Sequence, residues 1–203
     1  MKQESKALFD NLDIDFNKLC GIDEAGRGPI AGALIMAGVI LTKEIDDLND
    51  SKKLTEKKRE KLYKIIKNSS KYFIYEVNAA KIDEIGLSKA IKECLEAIKN
   101  YFGEDTNFLF DGNSAFGVDG ISTLVKADAK IKAVSAASIL AKVYRDRQMV
   151  EYSKIYPEYG FEKHKGYGTK AHIEAIEKYG YCKIHRRSFK IKLHSTKTDT
   201  TLF

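Results

Sequence analysis

The chain has 203 residues, 43% of them hydrophobic and 32% charged with both signs interleaved, which suits one folded unit with a sizeable core and excludes a mainly disordered polymer. Lys and Arg number 35 against 29 Asp and Glu, a formal charge of +6 that suits a polyanionic partner such as nucleic acid without requiring one. Cys20, Cys94 and Cys182 are odd in number, far apart and without a C-x-x-C pair, which argues against a disulfide scaffold or a zinc site and for a reducing cytoplasm.

Residues 1–17 read as an N-terminal arm without the apolar segment of a signal peptide. Leu19-Cys20-Gly21-Ile22 predicts a short strand running into the polar stretch DEAGRGP. Ala33 to Leu41 predicts a second strand, apolar on both faces and therefore central. The longest uncharged run, Pro29 to Thr42, is too short for a membrane helix of about 20 residues, so no membrane association is expected. Lys43 to Lys53 is a charged loop, Thr55 suits the N-cap of a helix to about Asn68, and Tyr72 to Val77 alternates like a strand. Ile82 to Phe102 predicts one long helix, with Ile91, Cys94, Leu95, Ile98 and Phe102 on a single stripe. Phe108-Leu109-Phe110 forms a buried strand ending at Asp111-Gly112, and Ser122 to Val125 another ending near Asp128. An Ala-rich helix follows from Ile131 to Tyr152, stopped by Pro157, and a last one is capped by Thr169 and ends at Gly180. Together these elements predict a mixed α/β sheet with helices on both faces.

Four carboxylates stand at strand ends: Asp23, Glu24, Asp111 and Asp128. Strand ends are where ligands gather in open α/β sheets, so acids distant in sequence can converge there. Two like charges about 4 Å apart repel by roughly 4 kcal/mol at an effective dielectric near 20. Hard divalent cations offset that repulsion, and an all-oxygen set favours Mg²⁺ or Mn²⁺ over zinc. Adjacent side chains on a regular strand point to opposite faces, so Asp23 and Glu24 cannot both aim inward. Glu24 then acts through its backbone carbonyl, or from a bend that Gly26 and Gly28 permit. On spacing alone, four unrelated surface acids at loop starts explain the pattern equally well.

Gly26-Arg27-Gly28-Pro29 lacks the spacing of a dinucleotide fingerprint and is either a plain tight turn or a place where backbone approaches a ligand while Arg27 grips phosphate. Lys52 and Lys53 can hold phosphate or simply be solvated. Tyr167, between glycines in His164 to Thr169, can stack on a base or sugar; His164 and His172 read as ordinary surface or capping histidines. HRRSFKIK near the end can touch a nucleic-acid backbone or be a solvated end. There is no EF-hand, P-loop, G-x-S-x-G elbow or H-E-x-x-H.

In order along the chain, Gly21-Ile22-Asp23-Glu24-Ala25-Gly26-Arg27-Gly28-Pro29, the D-S-K-K-L stretch from Asp50 to Leu54, Asp111-Gly112, AVSAASILAKVYRD preceded by Asp128-Ala129, His164 to Thr169 and His185-Arg186-Arg187-Ser188-Phe189 resemble the type 2 ribonucleases H. The resemblance covers about residues 18–190 and implies an RNase H-like mixed β-sheet flanked by helices, with a catalytic domain at 18–190 and a flexible tail at 191–203. It implies an endonuclease that hydrolyses the RNA strand of RNA–DNA hybrids and cuts 5′ of single ribonucleotides in duplex DNA, leaving a 3′-hydroxyl and a 5′-phosphate. Asp23, Glu24, Asp111 and Asp128 would bind two divalent ions, Mn²⁺ or Mg²⁺, with Asp23 as the bridging ligand. Gly26, Arg27 and Gly28 would read the 2′-hydroxyl, and Tyr167 would stack at the RNA–DNA junction, with Lys52 as a further substrate contact.

Type 3 relatives lack this G-R-G arrangement and carry an N-terminal domain that the 17 residues before the first strand do not supply. The expected partners are RNA–DNA hybrid and ribonucleotide-containing duplex DNA, bound by a cytoplasmic monomer. Thr200-Thr201-Leu202-Phe203 faintly resembles endings that dock on sliding clamps, a frayed terminus being the plainer reading. Two alternatives stay open: another RNase H-like nuclease such as a resolvase or transposase, which needs neither the G-R-G turn nor the Tyr167 loop, and a non-catalytic hybrid-binding module, which would be expected to lack one of the four acids.

Overall fold

A computed structural model describes residues 18–48 and 54–191. Its first strand, β1 (Leu19–Ala25), pairs antiparallel with β2 (Leu34–Leu41), which pairs antiparallel with β3 (Ser70–Val77). On the other side of β1, β4 (Asn107–Asp111) and then β5 (Ile121–Leu124) add in parallel, giving the order β3-β2-β1-β4-β5. The apolar run of β2 is internal to the sheet, as a strand without a polar face must be.

Helix α1 (Glu56–Ser69) opens at Thr55, whose hydroxyl accepts the Lys58 N–H. The stretch predicted as one helix from Ile82 to Phe102 is two, α2 (Ala79–Ile85) and α3 (Leu87–Phe102). Gly86 separates them with φ 81°, a conformation no helix accommodates, and its N–H closes α2 on the Ile82 carbonyl. Helix α4 (Lys132–Ile155) is longer than predicted; α5 (Phe161–His164) and α6 (Lys170–Tyr179) follow, the last capped by Thr169 as expected. Among the described residues no helix is long and apolar enough to cross a membrane.

Helices α1 and α4 cover one face of the sheet, packing Leu62, Ile66, Ala136, Ala137 and Leu140 against Ile35, Ala37 and Val39. Helix α3 covers the other, with Ile91, Cys94, Leu95 and Ile98 on Cys20, Ile22, Leu34 and Met36. Cys20 and Cys94 are buried free thiols inside that second layer. At Gly21 the backbone of α4 lies directly on β1: a Cβ there would run into the main chain of Ala133 and Val134. Glycine at this one position brings the small-residue face of α4 down beside Asp23, two residues further along the strand.

Candidate active site

Strand β1 runs regularly to Ala25, three residues past the expected end, so Asp23 and Glu24 diverge without a bend. Asp23, only 6% exposed, faces α4, where the Ser138 hydroxyl bonds its carboxylate. The parallel pairing sets Ile22 opposite Phe110, which puts Asp111 at the end of β4 beside Asp23 on the same face. Asp128 sits in a 3₁₀ turn, Ala127–Ala129, and is buried. One bond ties that turn to the site: Asp111 Oδ1 accepts the Ala127 N–H at 2.9 Å. Asp23, Asp111 and Asp128 thereby each bring a carboxylate oxygen within 4.8 Å of the others.

Glu24 stays outside that trio. Its Oε1 lies 2.8 Å from the Arg27 guanidinium, yet at the end of the sheet it still lines the same cleft. Burial, then the charges of Glu24 and Asp111, hold the Asp23 carboxyl well above the usual carboxylate range, while bonds from Ser138 and the Glu24 N–H oppose this. A buried set of converging acids with only oxygen donors fits a hard divalent cation.

The cleft, about 420 Å³, is lined by Asp23, Glu24, Asp111, Gly26, Arg27, Gly28 and Tyr167. It is also lined by Arg59, Ser138, Lys142 and Arg145, which the sequence reading did not single out. Ser138, Lys142 and Arg145 follow one another at i, i+4 and i+7 on α4, a spacing that marks one helix face. Lys52 lies outside the described residues, as do Asp50 to Lys53 and the Thr200–Phe203 ending.

The two glycines of the G-R-G turn differ. Gly26, at φ 101°, would point a Cβ at the Arg145 guanidinium, 2.5 Å from the Ala33 carbonyl, so its missing side chain makes room for protein. A Cβ on Gly28 would instead sit 3.8 Å from the Tyr167 ring, in the cleft. Arg145 is 1% exposed and donates to the carbonyls of Ala31 (2.9 Å), Ala33 (3.1 Å) and Lys165 (2.8 Å). Arg186, equally buried, donates to Gly32 (2.9 Å) and Arg27 (3.4 Å). The Gly166 carbonyl accepts from the N–H groups of Ile30 and Ala31 and joins the Tyr167 loop to the G-R-G loop. Two motifs almost 140 positions apart thus form one rim (167 − 28 = 139).

His185 and Arg186, read as part of a solvated or nucleic-acid-facing end, are buried instead. Arg187 and Ser188 donate their backbone N–H groups to the Asp83 carboxylate, at 2.8 and 3.0 Å. His172, read as a surface or capping side chain, is also fully buried.

Burial pushes His172 and His185 from 6.5 down to about 4; His164 adds to this for both and Arg187 for His185, while the Tyr167 and Cys182 backbone groups oppose it. With folded values below unfolded ones, this stability is full above about pH 6.5 and is lost as pH falls toward 4. Asp23 titrates with the opposite sign, so the pair shows as a difference: His172→Asn, unable to take up that proton, should lose less stability than the parent across the window. Urea midpoints measured at both ends test this.

A sequence model described as Ribonuclease HII matches residues 20–192. The chain is 63% identical over 174 residues to the Ribonuclease HII of Sulfurovum sp. (strain NBC37-1), covering 86% of this chain and 92% of that one. It is 53% identical over 188 residues to the Ribonuclease HII of Campylobacter jejuni subsp. jejuni serotype O:6, covering 93% and 97%. The solved PCNA:RNase HII complex from Archaeoglobus fulgidus contains a similar fold, with a TM-score of 0.72 at 27% identity over 86% of this chain and 96% of that one.

Proposed function

The chain belongs to the ribonuclease HII family and is a ribonuclease H acting on RNA–DNA hybrids, and from that premise we propose that it also cuts duplex DNA on the 5′ side of a single embedded ribonucleotide, leaving a 3′-hydroxyl and a 5′-phosphate. The observation that carries this reading is the meeting of two features at one cleft: Asp23 and Asp111 in its lining, converging with the buried Asp128, and Gly28 beside an exposed tyrosine on its rim.

The family's divalent-metal dependence fits the residues present. Asp23, Asp111 and Asp128, with Glu24 next to them, are the residues that would hold a pair of Mg²⁺ or Mn²⁺ ions. Bound there, the ions supply charge neutralisation at the scissile phosphate and ease deprotonation of the attacking water. The protein's part is to hold the acids in register. β1 and β4 fix Asp23 and Asp111, and the Asp111–Ala127 bond fixes the turn carrying Asp128.

On the rim, the backbone around Gly28 meets the 2′-hydroxyl, which is both donor and acceptor and marks ribose at a given site. Arg27 reaches phosphate, and Tyr167 presses on the neighbouring deoxyribose. Family membership replaces the resolvase or transposase alternative, and the enzyme assignment replaces the binding module.

Incubation with duplex DNA carrying one ribonucleotide, with and without Mn²⁺, tests the proposal. Cleavage on the 5′ side of the ribonucleotide, only with the ion, is expected. An intact duplex, beside a hybrid that is cut, would overturn it.

A further inference from the structure

Beneath the Tyr167 loop lie three histidines, with the rings of His164 and His172 stacked at 4.3 Å and that of His185 5.2 Å from His172. Their hydrogen-bond partners fix where the protons are. The Cys182 N–H donates to His185 Nδ1 at 2.9 Å, so the His185 proton is on Nε2. That Nε2 is 3.0 Å from His172 Nε2, which must therefore accept and carry its own proton on Nδ1. His172 Nδ1 in turn lies 2.9 Å from the Tyr167 carbonyl, a group that only accepts.

Three bonds thus run in one direction, from the Cys182 N–H through His185 and His172 to Tyr167. His164 is satisfied separately, accepting from the Gly166 N–H and bonding the Tyr159 carbonyl. The Tyr167 carbonyl also accepts the Thr169 N–H at 2.8 Å, so two bonds orient its peptide plane. The ring of the same residue, 49% exposed, is left to project into the cleft.

We infer that His172, oriented by His185, is a positioning residue for Tyr167: the buried histidine relay sets the direction in which the ring meets substrate. This rests on the reading of Tyr167 as a substrate contact. Each imidazole uses one nitrogen to donate and the other to accept, so the relay requires both rings neutral. A further proton on either would set two N–H groups against each other across 3.0 Å. Burial, which holds both well below the ordinary histidine range, keeps that proton off.

Two amide variants separate positioning from bulk. Asn at 172 places a donor near where Nδ1 is, and Gln places it near where Nε2 is. His172→Asn is expected to keep most of the parent's preference for a ribonucleotide followed by DNA over continuous RNA, and His172→Gln to lose about tenfold in kcat/KM on the one-ribonucleotide duplex, the scale of one hydrogen bond. Added to Tyr167→Ala, which keeps its carbonyl but has no ring to aim, His172→Gln should cost nothing more. Equal losses in the Asn and Gln variants, or losses in the double variant that multiply, would overturn the inference.

Nitrogen-15 spectra of histidine-labelled protein at neutral pH read the relay without substrate, with His172 expected in the Nδ1–H form and His185 in the Nε2–H form. The reverse forms would overturn the relay whatever Tyr167 does. Spectra as expected alongside an unaffected Tyr167→Ala enzyme would overturn the reading of Tyr167, and with it the purpose of the relay.

Discussion

Asp111→Asn is expected to lower cleavage of both hybrid and one-ribonucleotide duplex by about a hundred- to a thousandfold, the scale seen when one preorganised electrostatic group is removed from a reacting centre. The substitution keeps the shape of the site. Asn retains a carbonyl oxygen to accept the Ala127 N–H, so the turn carrying Asp128 stays in place. What disappears is one negative charge from three that crowd within 4.8 Å. In the metal-free protein that removal relieves repulsion on Asp23, so the variant should be at least as stable as the parent. Its response to metal should differ: Mn²⁺ is expected to raise the melting temperature of the parent, and the shift should be much smaller in the variant. Melting curves with and without Mn²⁺, beside single-turnover cleavage, check both halves. An active Asp111→Asn enzyme would remove Asp111 from the centre.

Tyr167→Ala is expected to lose about ten- to a hundredfold in catalytic efficiency on the one-ribonucleotide duplex, since stacking of this kind contributes roughly 1–3 kcal/mol. The ring is half exposed and its loop is held through backbone groups, so the loss belongs to substrate and not to folding. Preference for a ribonucleotide followed by DNA, over continuous RNA in a hybrid, should narrow with it. Tyr167→Phe keeps the ring face and should keep most of the rate. Single-turnover rates for both variants on the two substrates decide it; parent-like rates for Tyr167→Ala would return the residue to an ordinary surface loop.

Much of this arrangement is legible in the sequence because the signals are local. An apolar run that stops at an acid marks the end of β4 at Asp111, whereas at Asp23 the apolar run stops but β1 continues to Ala25; Thr55 and Thr169 cap where a hydroxyl precedes an amphipathic stretch. The break at Gly86 is not legible, because the apolar stripe continues across it and only the packed chain selects φ 81° there. Ser138, Lys142 and Arg145 share a readable helical spacing, but nothing local says that this face looks into a cleft. Arg186 is hidden for a related reason. A guanidinium near a chain end reads as solvated, and its burial depends on carbonyls contributed by the loop at Arg27 and Gly32.

Those carbonyl contacts also span much of the chain. Arg145 reaches back 112 and 114 positions to Ala33 and Ala31, and Arg186 reaches 154 and 159 positions to Gly32 and Arg27. All four acids, by contrast, lie in the first 128 residues. A ribosome releases the chain from its N-terminus, so the charged floor of the cleft is synthesised well before the last clasp of its rim. Contacts of such long sequence separation are slow to close and form late in folding. A growing chain that stops short of Arg186 therefore already carries all four acids and the Arg145 contacts, and lacks only the donor to the Gly32 and Arg27 carbonyls.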